Sequence, residues 1–288
     1  PSPGNWSAGI TWIFRGSGTF QEMISRSKPV GVIGWVVKLL GAGHYVHAVF
    51  DDLQACGTIL AWIGLYSESR HVLLMAYGNL KPDKALIWRI THRQNMPWIL
   101  ANGLHVGNSG PRSSDWVTIG NEELINRRAC RTVSMPPGGV LNDYVPFYFT
   151  PFSPMMYNIH TGRGGVRRVA NADIVILVSS LYTVAELGLQ FVFTDRHAYP
   201  VTANYYNELE RLHEIDWPLL QQRNFQRDPD DPEKVERYQA EALVHRYMPI
   251  QALLGAVWYT QDVQLELQEQ AKQQGIQLDV HYLPGWYF

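Results

Sequence analysis

Cysteine is nearly absent: Cys56 and Cys130 are the two in 288 residues, and they stand far apart. This excludes a disulfide framework and any paired-cysteine metal motif, and a reducing cytoplasm is the expected compartment. A membrane-length apolar run is also missing. The run Val30 to Ala42 has 13 residues with Lys38 inside it, whereas about 20 are needed to cross roughly 30 Å of hydrocarbon. No charged segment precedes it and the chain does not open on Met, so no signal peptide is expected. No internal repeat is visible. Charge of one sign is lacking as well: the formal net charge is −2, which taken alone argues against a nucleic-acid partner.

What is present changes that view. Hydrophobic residues make up 46% of the chain, enough for one large domain or two small ones with a proper core. The charge is unevenly spread. From Met75 to Arg168 there are 11 Lys/Arg against 5 Asp/Glu, and from Val169 to Phe288 there are 8 against 17. Nine of those eleven cations are arginine, the residue suited to bidentate phosphate contacts and base stacking. The first part of the chain, residues 1–74, does not read as a clean domain. Met75 is the expected physiological start, with the preceding segment an upstream or appended sequence; a small N-terminal domain is the competing reading. His44, His47 and Asp51 could share a helical face as metal ligands, but an ordinary histidine pair is the expected reading and no metal is expected.

The coarse pattern beyond Met75 is mixed. Strands are expected over Ala85 to Ile90, Val145 to Phe149, the continuous apolar run Asp173 to Val178, Gln190 to Phe193, Leu253 to Tyr259 and Gln277 to Tyr282. Glu241 to His245 reads as a strand or strand entry. Helices are expected at Asn95 to Asn102 closed by Gly103, Asn121 to Cys130, Ser153 to His160, Thr183 to Leu187 and Val263 to Gln274 ended by Gly275. Tyr199 to Leu212 carries apolar and aromatic residues at helical spacing, and Arg223 to Glu236 is a solvated loop. The fold class implied is α+β.

Two features carry the functional reading. Pro136-Pro137-Gly138-Gly139 feeds Asp143-Tyr144-Val145-Pro146-Phe147-Tyr148-Phe149-Thr150-Pro151, which is either a wall of flat rings suited to stacking a base or a buried strand. About ninety positions later, Glu241 opens Glu-Ala-Leu-Val-His-Arg. Around them stand Trp88-Arg89-Ile90-Thr91-His92-Arg93-Gln94-Asn95-Met96-Pro97-Trp98, Ser153-Pro154-Met155-Met156-Tyr157-Asn158-Ile159-His160 and Phe193-Thr194-Asp195-Arg196-His197-Ala198. In this order the motifs resemble the DarT family of DNA ADP-ribosyltransferase toxins, from about Leu80 to Phe288.

The resemblance implies an ADP-ribosyltransferase-like fold with a split, mostly antiparallel central sheet. It also implies transfer of ADP-ribose from NAD to a base, thymidine by preference, in single-stranded DNA, and a macrodomain antitoxin as partner; a monomer is expected. Glu241 would then be the carboxylate that faces the oxocarbenium-like ribose. An arginine of Asn126-Arg127-Arg128-Ala129-Cys130-Arg131 would contact NAD and help to activate the acceptor; Arg128 is preferred over Arg127 for that role, with both counted as NAD contacts. A guanidinium is a poor base, so an orienting, charge-stabilising role is expected. His92, Gln94 and Asn95 would contact NAD; Tyr144, Tyr148 and Phe149 would pack around its pocket. His197, Arg131, Arg167 and Arg168 would meet the DNA. Asn142 stands where relatives often carry His, so acid–base work at that position is not expected. Glu241→Ala is expected to abolish transfer without cost to the fold. The alternatives are an NAD glycohydrolase or an RNA- or protein-modifying transferase, and a non-catalytic nucleic-acid-binding module, which would have no use for Glu241.

Overall fold

A computed structural model describes residues 80–107 and 113–288, together with three strands nearer the start. The chain divides into two compact units, Pro1–His71 and Val72–Phe288. In the first unit, β1 (Trp12–Ile13), β2 (Trp35–Gly41) and β3 (His44–Phe50) form a sheet in the order β1-β3-β2. His44 and His47 therefore stand in a strand, where helical spacing does not apply. Asp51, Met75 and Cys56 lie outside the described residues.

The second unit holds the long sheet. Its elements in chain order are β4 (Leu86–His92), α1 (Met96–Asn102), β5 (Leu104–His105), α2 (Glu122–Arg128), β6 (Tyr144–Tyr148), α3 (Pro154–Thr161), β7 (Ile174–Ser180), α4 (Leu181–Glu186), β8 (Phe191–Thr194), β9 (Tyr205–Tyr206), α5 (Trp217–Gln221), α6 (Lys234–Arg237), β10 (Glu241–His245), β11 (Tyr247–Met248), β12 (Gly255–Trp258), α7 (Gln261–Gln273) and β13 (Asp279–Tyr282). Eight strands pair in the order β13-β12-β7-β4-β6-β10-β8-β9. All neighbours are antiparallel except β12 and β13, which run parallel. A parallel pair needs a crossover, and α7 supplies it. Strand β7 is buried along its whole length, as a continuous Ile/Val/Leu run in a sheet covered on both faces demands. Among the described residues no helix is long and apolar enough to cross a membrane.

The sheet splits between β4 and β6. Against β7, β4 keeps seven consecutive pairs, but against β6 it keeps one, Trp88 with Tyr148. Sequence chemistry accounts for the opening. The Pro146 carbonyl is turned toward β4, where it accepts from Arg89 Nη1 at 2.8 Å. The nitrogen of the same residue faces the same edge and carries no hydrogen, so the ladder cannot continue there. On its other edge β6 pairs fully with β10.

Strand periodicity resolves the two readings of the aromatic motif. Val145, Phe147 and Phe149 are buried in the core, Phe149 edge-on to Phe193 and Trp217. Pro146 and Tyr148 are half-buried on the opposite face. Phe149 is thus a core residue and does not line the pocket. The helical expectation for Tyr199 to Leu212 also fails. Tyr205 and Tyr206 pair with Thr194 and Phe193 as an edge strand, and Leu209–Glu214 is a 3-10 helix. The Tyr205 hydroxyl donates to the Ala198 carbonyl at 2.6 Å, a tertiary bond that favours a folded-back loop over a helix. Within the expected solvated loop, Lys234–Arg237 makes one helical turn.

Gly103 ends α1 with φ of 75°, and a Cβ there would stand 2.6 Å from the Met248 carbonyl oxygen. Only glycine fits, which lets β5 pair with β11 directly after the catalytic-motif strand β10.

Candidate active site

Glu241 is the first residue of β10, next to β8 on one side and opposite Tyr148 of β6 on the other. It is 2% exposed. Arg128 closes α2 and is also buried. Its Nη1 donates to Glu241 Oε1 at 3.1 Å, and its Nη2 lies 2.9 Å from Oε2, off the line of a hydrogen bond but within an ion pair. The Ala198 backbone N–H donates to Oε1 at 3.0 Å, and His197 Nε2 lies 3.7 Å from the same oxygen. Burial disfavours the charge on both partners of the pair. The opposing charge outweighs it, so the carboxyl is held below its usual range and the guanidinium above its own.

This pair is in the wall of a cavity of about 520 Å³ that occupies the split in the sheet. Arg89, Ile90 and Thr91 line it from β4; Tyr144, Pro146 and Tyr148 from β6; Asn121, Leu124 and Arg128 from α2. Asn126, Asn158, His197 and Gln239 add polar groups. A volume of this size, mixed in polarity, suits a nucleotide-sized ligand. Among the described residues no cluster of three His, Cys, Asp or Glu could hold a metal.

Arg127 and Arg128 separate cleanly. Arg127 is exposed and paired with Glu123 one turn earlier, so it is removed from the cavity and its expected NAD contact is corrected. One residue is 100° of rotation on a helix, so adjacent arginines cannot both face inward. The Glu123–Arg127 spacing marks the solvated face, and Leu124 with Arg128 the inner one; that signal was already in the sequence.

The other expected residues scatter. Asn95 lines the cavity, but its side chain is committed: Nδ2 donates to Thr91 Oγ1 and to the Val117 carbonyl, and Oδ1 accepts from Val117 N–H. It clamps the segment 113–121. His92 is half-buried and caps the following turn by accepting from Gln94 N–H at 3.2 Å; Gln94 is exposed, and neither lines the cavity. Tyr144 lines it while giving its hydroxyl to the Gly138 carbonyl at 2.6 Å, and burial pushes its phenol up to about 12. Tyr148 is raised further by burial and then by Glu241, so its phenol stays protonated. Arg131 is not in the lining and donates from Nη2 to the Pro200 carbonyl. Arg167 and Arg168 are exposed directly after the segment that brings Gly164 and Val166 to the cavity. Asn142 lines the cavity and donates to the Ile125 carbonyl at 3.0 Å.

Sequence reading missed Arg89, His105, Trp116, Gln239 and the Ala198 N–H. Arg89 carried a signal: a charge inside the apolar strand Leu-Ile-Trp-Arg-Ile is costly unless it has work to do. The Ala198 N–H carried none, since backbone donors have no sequence signature.

The site has a pH consequence. Burial, ahead of the opposing pull of Glu241, holds His197 below the usual 6.5, and burial does the same for His92 and His245. The unfolded chain takes up protons that the folded one refuses, so stability is expected to fall as pH drops below about 6.5. Glu241, lowered from 4.5, loses its contribution only below that value. Thermal unfolding from pH 7.5 to 5.5 should show a falling Tm, with a shallower slope in His197→Gln.

A mixed sheet split around a ligand-sized cavity, with a buried carboxylate–guanidinium pair in its wall, defines an NAD-type ADP-ribosyltransferase domain. The family model for "ssDNA thymidine ADP-ribosyltransferase, DarT" matches residues 88–288, and the chain belongs to that family. A DNA ADP-ribosyl transferase of Escherichia coli O127:H6 (strain E2348/69 / EPEC) is 56% identical over 217 residues, covering 74% of this chain and all of that protein. One from Thermus sp. (strain 2.9) is 39% identical over 197 residues, covering 67% of this chain and 90% of that protein. The solved structure of Thermus sp. 2.9 DarT in complex with ADP-ribosylated ssDNA superposes with a TM-score of 0.66 at 34% identity, covering 72% of this chain and 97% of that one. The same protein in complex with NAD+ gives 0.62 at 34%, over 71% and 98%.

Proposed function

We propose that this chain transfers ADP-ribose from NAD to thymidine in single-stranded DNA, with Glu241 and Arg128 at the reaction centre. The observation that carries the residue roles is the buried Arg128–Glu241 pair in the wall of the split-sheet cavity. In the reaction the bond from ribose C1′ to the nicotinamide nitrogen breaks, and nicotinamide leaves with the electron pair, which neutralises its ring. Glu241 faces the positive charge that develops on the ribose. An atom on the Watson–Crick face of the base then bonds to C1′ and loses its proton, a step that needs an unpaired base.

Arg128 is not the group that takes this proton. Its pairing holds the guanidinium protonated, so it aligns Glu241 and stabilises negative charge on the base. His197, buried and kept neutral beside Glu241, has a lone pair to accept the proton. Tyr148 shapes the wall next to both. Arg163, Arg167 and Arg168 are exposed beside the cavity and suited to phosphates.

Incubating the protein with labelled NAD and thymidine-containing DNA, thymidine-free DNA, RNA or no acceptor tests the assignment. Label on thymidine-containing DNA alone is expected. Free ADP-ribose with no acceptor dependence would instead identify a glycohydrolase. Arg168→Ala is expected to weaken DNA binding and flatten its log–log salt dependence by about 0.7, the share of one single-strand phosphate contact, with little change in the saturated rate. Titrations at several salt concentrations measure both.

The reading extends to a cytoplasmic, monomeric toxin whose partner is a macrodomain antitoxin that reverses the modification. It also assigns transfer to the unit Val72–Phe288 alone. The match that covers all of the E. coli relative while leaving a quarter of this chain unmatched supports that assignment. A chain beginning at Met75 is expected to fold and keep its transfer rate, whereas an insoluble or inactive product would return residues 1–74 to the working domain.

A further inference from the structure

Glu241 is held from one side by Arg128 and from the other by a loop that has no secondary structure of its own. That loop runs from the end of β8 to β9 and carries both His197 and the Ala198 N–H. Its neck is closed by the Thr194–Tyr205 pair of the β8–β9 ladder and, directly inside that pair, by the side chain of one carboxylate. Asp195 is 9% exposed; its Oδ1 accepts from Asn204 N–H at 3.1 Å, and its Oδ2 from Asn204 Nδ2 at 2.9 Å. Arg196 adds two longer contacts of 3.4 Å to the same oxygens and reaches Glu233 at 3.1 Å with Nη1.

Between the closed ends, each turn of the loop is fixed. Thr194 Oγ1 donates to the Arg196 carbonyl at 2.6 Å and accepts from the Glu241 N–H at 3.2 Å. His197 N–H donates to the Glu236 carbonyl at 2.8 Å. The Tyr205 hydroxyl holds the Ala198 carbonyl, and Arg131 holds that of Pro200. Arg131, expected to meet DNA, thus belongs to this support. Inside the β8–β9 pairing, the Asp195–Asn204 closure is the side-chain link that joins the two ends of the loop across nine positions.

We propose that Asp195 is a positioning residue of the transferase: clasped to Asn204, it sets the Ala198 N–H and the His197 ring against Glu241. It rests on the reading of Glu241 as the reaction-centre carboxylate. A buried carboxylate serving only the fold would be indifferent to what the loop carries. Here the eight residues it encloses include both groups that meet Glu241 from outside the sheet and α2. Small displacement of such groups is enough to matter, since misplacement by about 1 Å can cost on the order of 100-fold in rate.

The test is steady-state transfer to a thymidine-containing oligonucleotide by the full chain, with thermal unfolding recorded for each variant. Asp195→Ala is expected to lower kcat by roughly 10- to 100-fold while KM for NAD changes by less than about threefold. Asn204→Ala, at an exposed position, removes one bond of the clasp and serves should Asp195→Ala fail to fold; a smaller loss, again in kcat, is expected. The exchange Asp195→Asn with Asn204→Asp keeps one amide opposite one carboxylate and should recover most of the lost kcat. Wild-type kcat in folded Asp195→Ala and Asn204→Ala would overturn the inference. So would a loss that appears equally in KM and is not recovered by the exchange, since that describes general loop collapse. Glu241→Gln run alongside separates the two levels: if it retains transfer, the reading of Glu241 fails; if it is inactive while Asp195→Ala is not, only the clasp fails.

Discussion

Glu241→Gln is expected to reduce ADP-ribose transfer by about 100-fold or more, the scale seen when one electrostatic group is removed from a preorganised site. The substitution keeps the volume and one acceptor oxygen, so Ala198 N–H retains a partner while the negative charge is lost. That charge is what the oxocarbenium-like ribose requires. Single-turnover rates at saturating NAD and DNA measure the effect, and a folded variant that transfers within a few-fold of wild type would remove Glu241 from the reaction centre. Glu241→Ala is a poorer choice than composition suggests. The carboxylate oxygens meet a buried guanidinium and the Ala198 N–H, so truncation leaves both without any acceptor, and a loss of stability is expected beside the loss of transfer.

The second large effect is on stability, and it follows from the same pair. Removing one partner of a buried ion pair costs roughly 3–5 kcal/mol, because the other charge stays buried and uncompensated. Arg128→Met and Glu241→Leu are each expected to show a loss of that size in denaturant unfolding. The double variant should recover most of it, since two apolar side chains in place of the pair leave no charge to desolvate. Its transfer activity should remain absent. Recovery of stability without recovery of activity would mean that the pair is kept for chemistry at the expense of the fold. Additive losses in the double variant would instead mean that each side chain supports the fold through other contacts.

Much of the fold was legible along the chain because it rests on local periodicity. The uninterrupted apolar run over 174–178 reads as a buried strand, and Gly103 and Gly275 read as helix ends, as the structure has them. The seam between β4 and β6 was partly legible too, through a proline where a ladder donor was needed and an arginine in an apolar strand. Tyr199 to Leu212 was not. Its spacing fits a helix, but Asp195 on Asn204, Arg131 on Pro200 and the Tyr205 hydroxyl turned back on Ala198 hold it as a loop and an edge strand, and helical periodicity does not report such bonds.

The candidate site divides in the same way. Sequence by itself determined the family, the carboxylate that opens β10 and the basic half of the chain, because motif identity and charge are properties of the residues in order. It also held, in the Glu123–Arg127 spacing, the answer to which arginine faces inward. Only the tertiary structure decided that Arg128 reaches Glu241 across 113 positions, that Asn95 is spent on Val117, and that a backbone N–H completes the carboxylate's shell. Those outcomes depend on which elements are brought together when the sheet closes around the cavity, and spatial convergence of distant segments has no expression in the linear spacing of residues.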